Sequence, residues 1–109
     1  MSRYFPSSDD CAHKTIFGNV AITTLAGDHL QFSIADIPAR GSVPQHSHPN
    51  EQMGIVISGR MVFTIGGESR TLGPGDLYRI PGGVSHGVVA LDEPVRALDV
   101  FYPIRDEYR

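Results

Sequence analysis

The amino-acid sequence predicts an all-β domain, folded as a small β-barrel or a double-sheet jelly roll. Three observations lead to this fold class. No window of the chain keeps amphipathic helical periodicity over several turns. Short runs of β-branched or alternating residues recur at regular spacing, as is typical of strands in sandwiches and barrels. The 12 glycines and 8 prolines suit a fold with many tight turns.

The predicted elements begin with a polar segment and continue as strands and turns. Residues 1–15 are polar and predict a loosely held N-terminal arm. Pro38 and Pro44 flank a predicted loop that leads to a pair of histidines. The dipeptide Gly66-Gly67 predicts a hairpin turn with positive φ at its centre. The predicted strands cover residues 20–25, 30–37, 54–57, 61–65, 68–72, 77–80, 87–91 and 95–101.

The length and composition are typical of a single globular domain with a small net charge. A chain of 109 residues has room for one core, so the barrel domain is predicted to span residues 16–109. The net charge of −3 gives no broad basic surface for nucleic acid or an anionic membrane, which favours a small-molecule partner. No apolar run is long enough to span a bilayer, and residues 1–6 lack the apolar centre of a secretory signal. The single cysteine, Cys11, fits a reducing compartment, so a cytoplasmic location is expected.

Three histidines from two stretches of chain predict a metal site. His46 and His48 are separated by one residue, so on an extended strand both side chains project to the same face. A third ligand must then come from a neighbouring strand, and His86 can supply it. The alternative for His46 and His48 is a pair of solvated loop histidines. His13 and His29 have no motif around them and are expected at the surface.

The histidines are arranged as in the motifs of the cupin superfamily, which the chain resembles over almost its whole length. The first cupin motif contains two histidines one residue apart, a glutamate a few residues later, and a glycine after six more residues. His46, His48 and Gly59 match this motif, and Gln52 occupies the glutamate position. The second motif ends on His86, and its earlier positions are matched by Gly75, Pro81 and Gly83.

The resemblance implies a cupin jelly roll that holds one divalent transition metal ion. Its ligands would be His46, His48, Gln52 and His86. Neutral imidazole and amide ligands disfavour Mg and Ca and suit Zn, Ni, Fe, Mn, Cu or Co. Glu51 is the alternative fourth ligand, because a carboxylate binds cations better. Strand parity and the spacing to Gly59 select Gln52, although a loop at this position would remove that argument.

A narrower resemblance connects the chain with the pectin-degradation cupins, which open 4,5-unsaturated uronates to linear keto acids. The resemblance rests on the histidine-proline-asparagine-glutamate-glutamine stretch at 48–52 and on residues 87–91 and 98–108. In that family, the residues that match Asp99, Phe101 and Arg105 belong to the active site. The resemblance therefore implies that Asp99 and Arg105 are catalytic and that Phe101 and Arg105 contact the substrate.

The position of Asp99 on its strand is a separate reason to expect a functional role for this residue. Asp99 and Phe101 share one face of the strand predicted at 95–101, and an aspartate there is unfavourable unless it is paired or functional. If this face lines the cavity, Asp99 is the natural general acid or base. The alternative is a salt bridge with Arg79 or Arg96.

Arg105 and Phe101 each have a second interpretation. Arg105 could hold a substrate carboxylate through its two-pronged guanidinium group. It could equally be a solvated arginine near the C-terminus. Phe101 could be part of the apolar core instead of a substrate contact.

Together these features predict a metal-dependent cupin enzyme acting on a small acidic substrate derived from a sugar. The leading hypothesis is ring opening and keto-enol conversion of a 4,5-unsaturated uronate. One alternative is an Fe or Cu dioxygenase acting on a small organic substrate, and another is a non-catalytic, metal-containing sugar-binding cupin. The resemblance also implies a homodimer, in which the N-terminal arm or an outer sheet face forms the contact.

Overall fold

The computed structural model describes residues 4–109, which form two antiparallel sheets that face each other. The strands are β1 (Ala12–Ile16), β2 (Val20–Ala26), β3 (Gln31–Ile37), β4 (Ser42–His46), β5 (Glu51–Ser58), β6 (Met61–Ile65), β7 (Glu68–Leu72), β8 (Leu77–Ile80), β9 (His86–Ala90) and β10 (Val95–Tyr102). One sheet has six strands in the order β1-β2-β3-β10-β5-β8, and the other has four in the order β4-β9-β6-β7. Short 3-10 turns cover Ser8–Asp10 and Asp106–Tyr108. The predicted all-β, double-sheet jelly roll is confirmed.

The predicted loop between Pro38 and Pro44 is partly a strand. β4 continues through Pro44 as far as His46. Proline disfavours a strand because it has no N–H to donate, but it is tolerated at sheet edges and irregularities. β4 is an edge strand, and its register with β9 shifts between Val43 and His46, so the structure meets both conditions.

The N-terminal segment contributes a strand to the larger sheet. Residues 12–15, which were assigned to the arm, belong to β1 and pair with β2. Half-buried and exposed residues alternate along β1, but the polar Lys14 and Thr15 obscure this pattern in the sequence. The Lys14 ammonium group donates a hydrogen bond to the Glu107 carbonyl oxygen at 2.8 Å. Residues 1–3 of the predicted arm lie outside the described residues.

The hydrophobic core fills the space between the two sheets. Both sheets contribute side chains that are almost fully buried, including Val20, Ile22, Val56, Met61, Phe63, Ile80 and Ala90. The Gly66-Gly67 turn between β6 and β7 has φ values of 56° and 82°, as predicted. No helix among residues 4–109 is long and apolar enough to cross a membrane.

The inner face of the six-stranded sheet becomes polar towards one end of the core. Ser33, Gln52 and Asp99 point inward and are buried there. The strand register places Asp99 opposite Ser33 on one side and opposite Gly54 on the other. Buried polar groups need partners, and the partners of this cluster define the site.

Candidate metal centre

His46, His48 and His86 meet at the polar end of the core. One ring nitrogen of each histidine lies within 4.8 Å of the others. His46 is the last residue of β4 and pairs in register with His86, the first residue of β9. His48 lies beyond β4 in the loop that leads to β5, so this loop, and not one continuous strand, brings it beside His46. The structure thus brings the three predicted histidines together.

Backbone carbonyl oxygens fix the tautomer of each histidine. In every case Nδ1 faces the carbonyl oxygen of a residue two positions away in sequence. A carbonyl only accepts hydrogen bonds, so Nδ1 carries the proton and Nε2 keeps its lone pair. The distances are 2.9 Å from His46 to Pro44, 3.0 Å from His48 to Asn50, and 2.9 Å from His86 to Val84.

The Nε2 atoms of His48 and His86 have no hydrogen-bond donor beside them. His86 Nε2 is buried and has no hydrogen-bond partner. His48 Nε2 faces the Gln52 amide oxygen at 3.0 Å, although with Nδ1 protonated both of these atoms are acceptors. Burial lowers the pKa of His48 and lowers that of His86 to about 4. Protonation of Nε2, which would turn these acceptors into donors, is therefore unfavourable at neutral pH. A cation bound by these lone pairs would resolve it, and nitrogen with amide oxygen suits a divalent transition metal.

Gln52 and Glu51 lie on opposite faces of β5, as strand parity predicts. Gln52 is buried and its amide oxygen reaches His48, whereas Glu51 is exposed. Gln52 lies between Ile80 and Phe101 in the sheet register, which holds its side chain over the polar end of the core. The geometry therefore places Gln52, and not Glu51, beside the histidines.

Asp99 lies behind Gln52 in the wall of the cavity. Its Oδ1 accepts a hydrogen bond from Gln52 Nε2 at 3.0 Å and another from the Tyr78 hydroxyl at 2.5 Å. Burial raises the pKa of the Asp99 carboxyl group, while these two hydrogen bonds oppose the rise. The salt-bridge alternative is wrong, because Arg96 pairs with Asp36 at 2.8 Å and Arg79 is exposed on the outer face of β8. Asp99 is instead held by neutral donors.

The Arg105 side chain enters the cavity. It is 10% exposed and its Nη2 lies 2.8 Å from Glu107 Oε1. Its Cζ lies 4.0 Å from the centre of the Tyr108 ring and 5.3 Å from that of Phe101. The alternative of a solvated arginine is therefore wrong. Phe101 is buried in the core and also packs edge-on against His48, so its assignment to the core is confirmed, and its contact with a substrate stays a prediction.

Two side chains of this site were not found from the sequence. Tyr78 lies on the inner face of β8, and the apolar-inward parity of Leu77–Ile80 could have revealed it. Burial, and then the charge of Asp99, raises the pKa of the Tyr78 hydroxyl far above its ordinary value, so the group stays a donor. Phe17 stacks near His46, at 5.4 Å between ring centres, from a turn residue with φ of 51°. No sequence pattern places an aromatic residue at such an unfavourable φ.

The cavity that contains these groups is small. Its volume is about 70 Å³. Most of its wall is apolar and comes from the inner faces of both sheets, while the polar groups gather at one end. The polar residues lining it include Ser33, His46, Gln52, Tyr78, His86, Asp99 and Arg105.

Two facing antiparallel sheets that enclose a histidine-lined cavity define the class of small β-barrel to which this chain belongs. The family model described as the cupin domain matches residues 33–101. The chain is therefore a member of the cupin family, and the resemblance found from the two motifs is confirmed.

Known relatives include a pectin degradation protein and an isomerase. The pectin degradation protein KdgF of Dickeya dadantii is 35% identical over 72 residues, which cover 64% of this chain and 66% of that protein. The solved structure of KdgF from Halomonas sp. matches with a TM-score of 0.81 and 26% identity, covering 88% of this chain and 89% of the other. The H2HPP isomerase of Bacillus subtilis is 28% identical over 94 residues, or 84% of this chain. The chain spans only 40% of the length of that isomerase.

Proposed function

We propose that this chain is a metal-dependent enzyme that opens the ring of 4,5-unsaturated uronates and converts the resulting enol to a ketone. One observation carries the proposal: three histidine nitrogens and the Gln52 amide oxygen converge with their lone pairs and without a donor among them. Such a set suits Zn, Ni, Fe, Mn, Cu or Co. A bound ion of this kind supplies a Lewis acid beside the cavity.

Arg105 is the residue proposed to bind the substrate carboxylate. Its guanidinium group lies against the Phe101 and Tyr108 rings and has an exposed partner in Glu107. A buried guanidinium with a mostly exposed partner can exchange that partner for a substrate carboxylate, which it binds through two parallel hydrogen bonds. Phe101 then forms the apolar wall beside the substrate ring.

Asp99 is the residue proposed to move the proton. The hydrogen bonds from Gln52 and Tyr78 both end on Oδ1, so Oδ2 is the oxygen available to the substrate. The hemiacetal hydroxyl gives up its proton, the bond between C1 and the ring oxygen breaks, and an aldehyde and an enol form. The proton then reaches C4 as the enol becomes a ketone, so the reaction is an isomerisation without an oxidant or reductant.

The size of the cavity restricts how such a substrate could bind. A cavity of about 70 Å³ favours a small substrate that places its carboxylate among the polar groups of the wall. Phe17, which also lines the cavity, is 44% exposed and would contact the solvent side of such a substrate. Small acidic substrates are therefore favoured over oligosaccharides that need a long groove.

The relatives support this substrate class and reaction type. The name of the Dickeya protein places it in pectin degradation, and the name of the Bacillus protein makes it an isomerase. The proposed reaction is an isomerisation, as in the second name, and its uronate substrate is chosen to fit pectin degradation, as in the first.

The test is an absorbance assay with metal-loaded protein and 4,5-unsaturated galacturonate. Ring opening and ketone formation remove the double bond conjugated to the carboxylate, so the ultraviolet absorbance should fall faster than in buffer. Asp99→Asn should abolish most of this acceleration, whereas His29→Ala, which changes an exposed histidine, should keep it. Absence of acceleration in protein with demonstrably bound metal would reject the uronate as substrate.

We further propose that the chain forms a homodimer through the outer face of the six-stranded sheet. Met53 and Val100 are neighbours in register on this face, and they are 54% and 39% exposed. Leu77, on the adjacent edge strand, is 73% exposed. Contiguous apolar side chains on an outer face are typical of an interface, and a second copy of the same face is the simplest complement.

A further inference from the structure

The two ends of the Gln52 amide contact different groups. Its oxygen lies 3.0 Å from His48 Nε2, and its nitrogen donates a hydrogen bond to Asp99 Oδ1 at 3.0 Å. The reversed amide would place its oxygen against Asp99 Oδ1, so that two acceptors would face each other without a proton. The Asp99 oxygen therefore determines which end of Gln52 faces the histidines.

Tyr78 keeps this Asp99 oxygen an acceptor. Its hydroxyl donates to the same Oδ1 at 2.5 Å, and the raised pKa of this buried hydroxyl keeps the proton on Tyr78. An oxygen that already accepts two hydrogen bonds does not donate one to Gln52. The hydrogen bonds thus run in one direction, from Tyr78 and Gln52 to Asp99.

The strand register and one glycine make this contact possible. Tyr78, Gly54 and Asp99 lie opposite one another on the neighbouring strands β8, β5 and β10. Tyr78 must reach across the middle strand to contact Asp99. A Cβ at position 54 would overlap the Tyr78 ring, so the absence of a side chain at Gly54 leaves the path open.

We propose that Asp99, held by Tyr78, is a positioning residue that turns the Gln52 amide oxygen towards the three histidines. Groups that hydrogen-bond to metal ligands orient these ligands and tune the affinity of the site. This inference rests on the metal site of the proposed function, but it does not depend on a uronate being the substrate.

Metal binding to the purified protein tests this proposal directly. Metal-free protein is titrated with Co²⁺, whose visible absorption reports the number and geometry of the ligands, and with Zn²⁺ by calorimetry. Asp99→Leu removes both the acceptor and the charge and should weaken binding by about 10-fold to 100-fold, the range typical of such partners. Asp99→Asn keeps an oxygen that accepts both hydrogen bonds and removes only the charge, so its affinity should lie between those of Asp99→Leu and the wild type.

A double variant separates charge from orientation. Gln52→Glu combined with Asp99→Asn moves the carboxylate into the ligand position and should recover most of the affinity lost in Asp99→Asn. The matched control is Asp36→Asn, which removes an equal charge from the neighbouring strand β3 at its salt bridge with Arg96. This control should bind Co²⁺ and Zn²⁺ as tightly as the wild type.

Several results would overturn the proposal. Asp99→Leu could bind both ions as tightly as the wild type, or the wild type could bind neither ion. If Asp99→Leu does not fold, unchanged affinity and an unchanged Co²⁺ spectrum in both Asp99→Asn and Tyr78→Phe would overturn it as well. A protein that follows the expected metal affinities but leaves the unsaturated uronate untouched would instead support the positioning role and reject only the substrate.

Discussion

Part of the six-stranded sheet has a polar inner face and an apolar outer face, which is the reverse of the usual arrangement. On the inner face, one row across the neighbouring strands is largely polar, and it consists of Thr24, Ser33, Asp99, Gly54 and Tyr78. On the outer face, the two adjoining rows are mostly apolar. They consist of Thr23, Ile34, Leu98, Ile55 and Leu77, and of Leu25, Phe32, Val100, Met53 and Arg79.

This reversal gives the two faces of the sheet different candidate roles. Antiparallel sheets usually bury an apolar face and expose a polar one. Buried polar groups are costly unless each has a partner, and apolar outer faces of this extent are uncommon in monomers. The buried polar row belongs to the candidate metal site, and the apolar outer rows are the surface on which the proposed dimer contact depends.

The largest expected effect comes from removing a ligand on the inner side. His86→Ala removes a buried nitrogen that has no partner other than the proposed ion. Zn²⁺ affinity should fall by more than about 100-fold, the upper limit typical for groups that only support a ligand. Calorimetric titration of metal-free protein measures this change.

The control for this variant is His29→Ala, since His29 is exposed. Equal Zn²⁺ affinity for His86→Ala and the control would contradict the assignment of the inner face to metal binding.

The outer face is tested by placing a charge in its apolar rows. Val100→Glu would put two carboxylates close together at a contact between identical faces, and it should convert a dimer to a monomer. Light scattering after size-exclusion chromatography measures the mass. Val89→Glu is the matched control, because Val89 is 50% exposed on the other sheet.

A wild-type chain with monomer mass would remove the explanation of the outer rows as a dimer contact. A dimer that survives Val100→Glu would move the contact to another surface.

A smaller effect is expected at the glycine of the inner row. Gly54→Ala places a methyl group into the Tyr78 ring, and overpacking of a core typically costs about 2 kcal/mol. The displaced ring would also lose its hydrogen bond to Asp99. Urea unfolding of the metal-free protein gives the stability change, with Gly73→Ala as the control, where an added methyl meets only ordinary contacts.

If Gly54→Ala leaves both the stability and the Zn²⁺ affinity unchanged, the close approach of Tyr78 across β5 has no role in the site.

The smallest effect is expected at the far end of the same row. The buried Thr24 hydroxyl donates to the Tyr108 carbonyl oxygen and so fastens the C-terminal turn that follows Arg105. Thr24→Val should lower the free energy of unfolding by about 1 kcal/mol, the net contribution of one hydrogen bond. Zn²⁺ affinity should stay at the wild-type value, which would divide the inner row into metal-facing and structural parts.

The variant Thr24→Ser keeps the hydroxyl and should restore most of the stability. Loss of Zn²⁺ affinity in Thr24→Val would contradict this division.

The sequence predicts the fold and the ligands because each depends on a local pattern. Alternating runs predict the strands Met61–Ile65 and Leu77–Ile80. The two glycines after Met61–Ile65 predict the hairpin turn, from which Glu68–Leu72 returns. The spacing of the histidines and the parity of Glu51 and Gln52 are equally local. The meeting of His86 with His46, by contrast, also requires that β4 and β9 become neighbours.

The remaining parts of the site depend on strand order, which the sequence does not reveal. Tyr78 reaches Asp99 because β5 lies between β8 and β10, and Gly54 matters for the same reason. The strand β4 was missed because Pro44 disfavours strands in general, and only its edge position makes it tolerable. Phe17 adopts a backbone conformation in which aromatic residues are rare, so no preference could have placed it near His46.

The pairing of His46 with His86 has a consequence for the folding of the smaller sheet. These two residues end the ladder between β4 and β9, next to an irregular stretch where Pro44 has no amide proton to offer. An ion bound by both rings would link β4 to β9 at the end of a ladder that has few hydrogen bonds. Amide hydrogen exchange of β4 should therefore slow upon metal loading, while Thr71 and Leu72, at the end of β7 away from His86, should exchange as before.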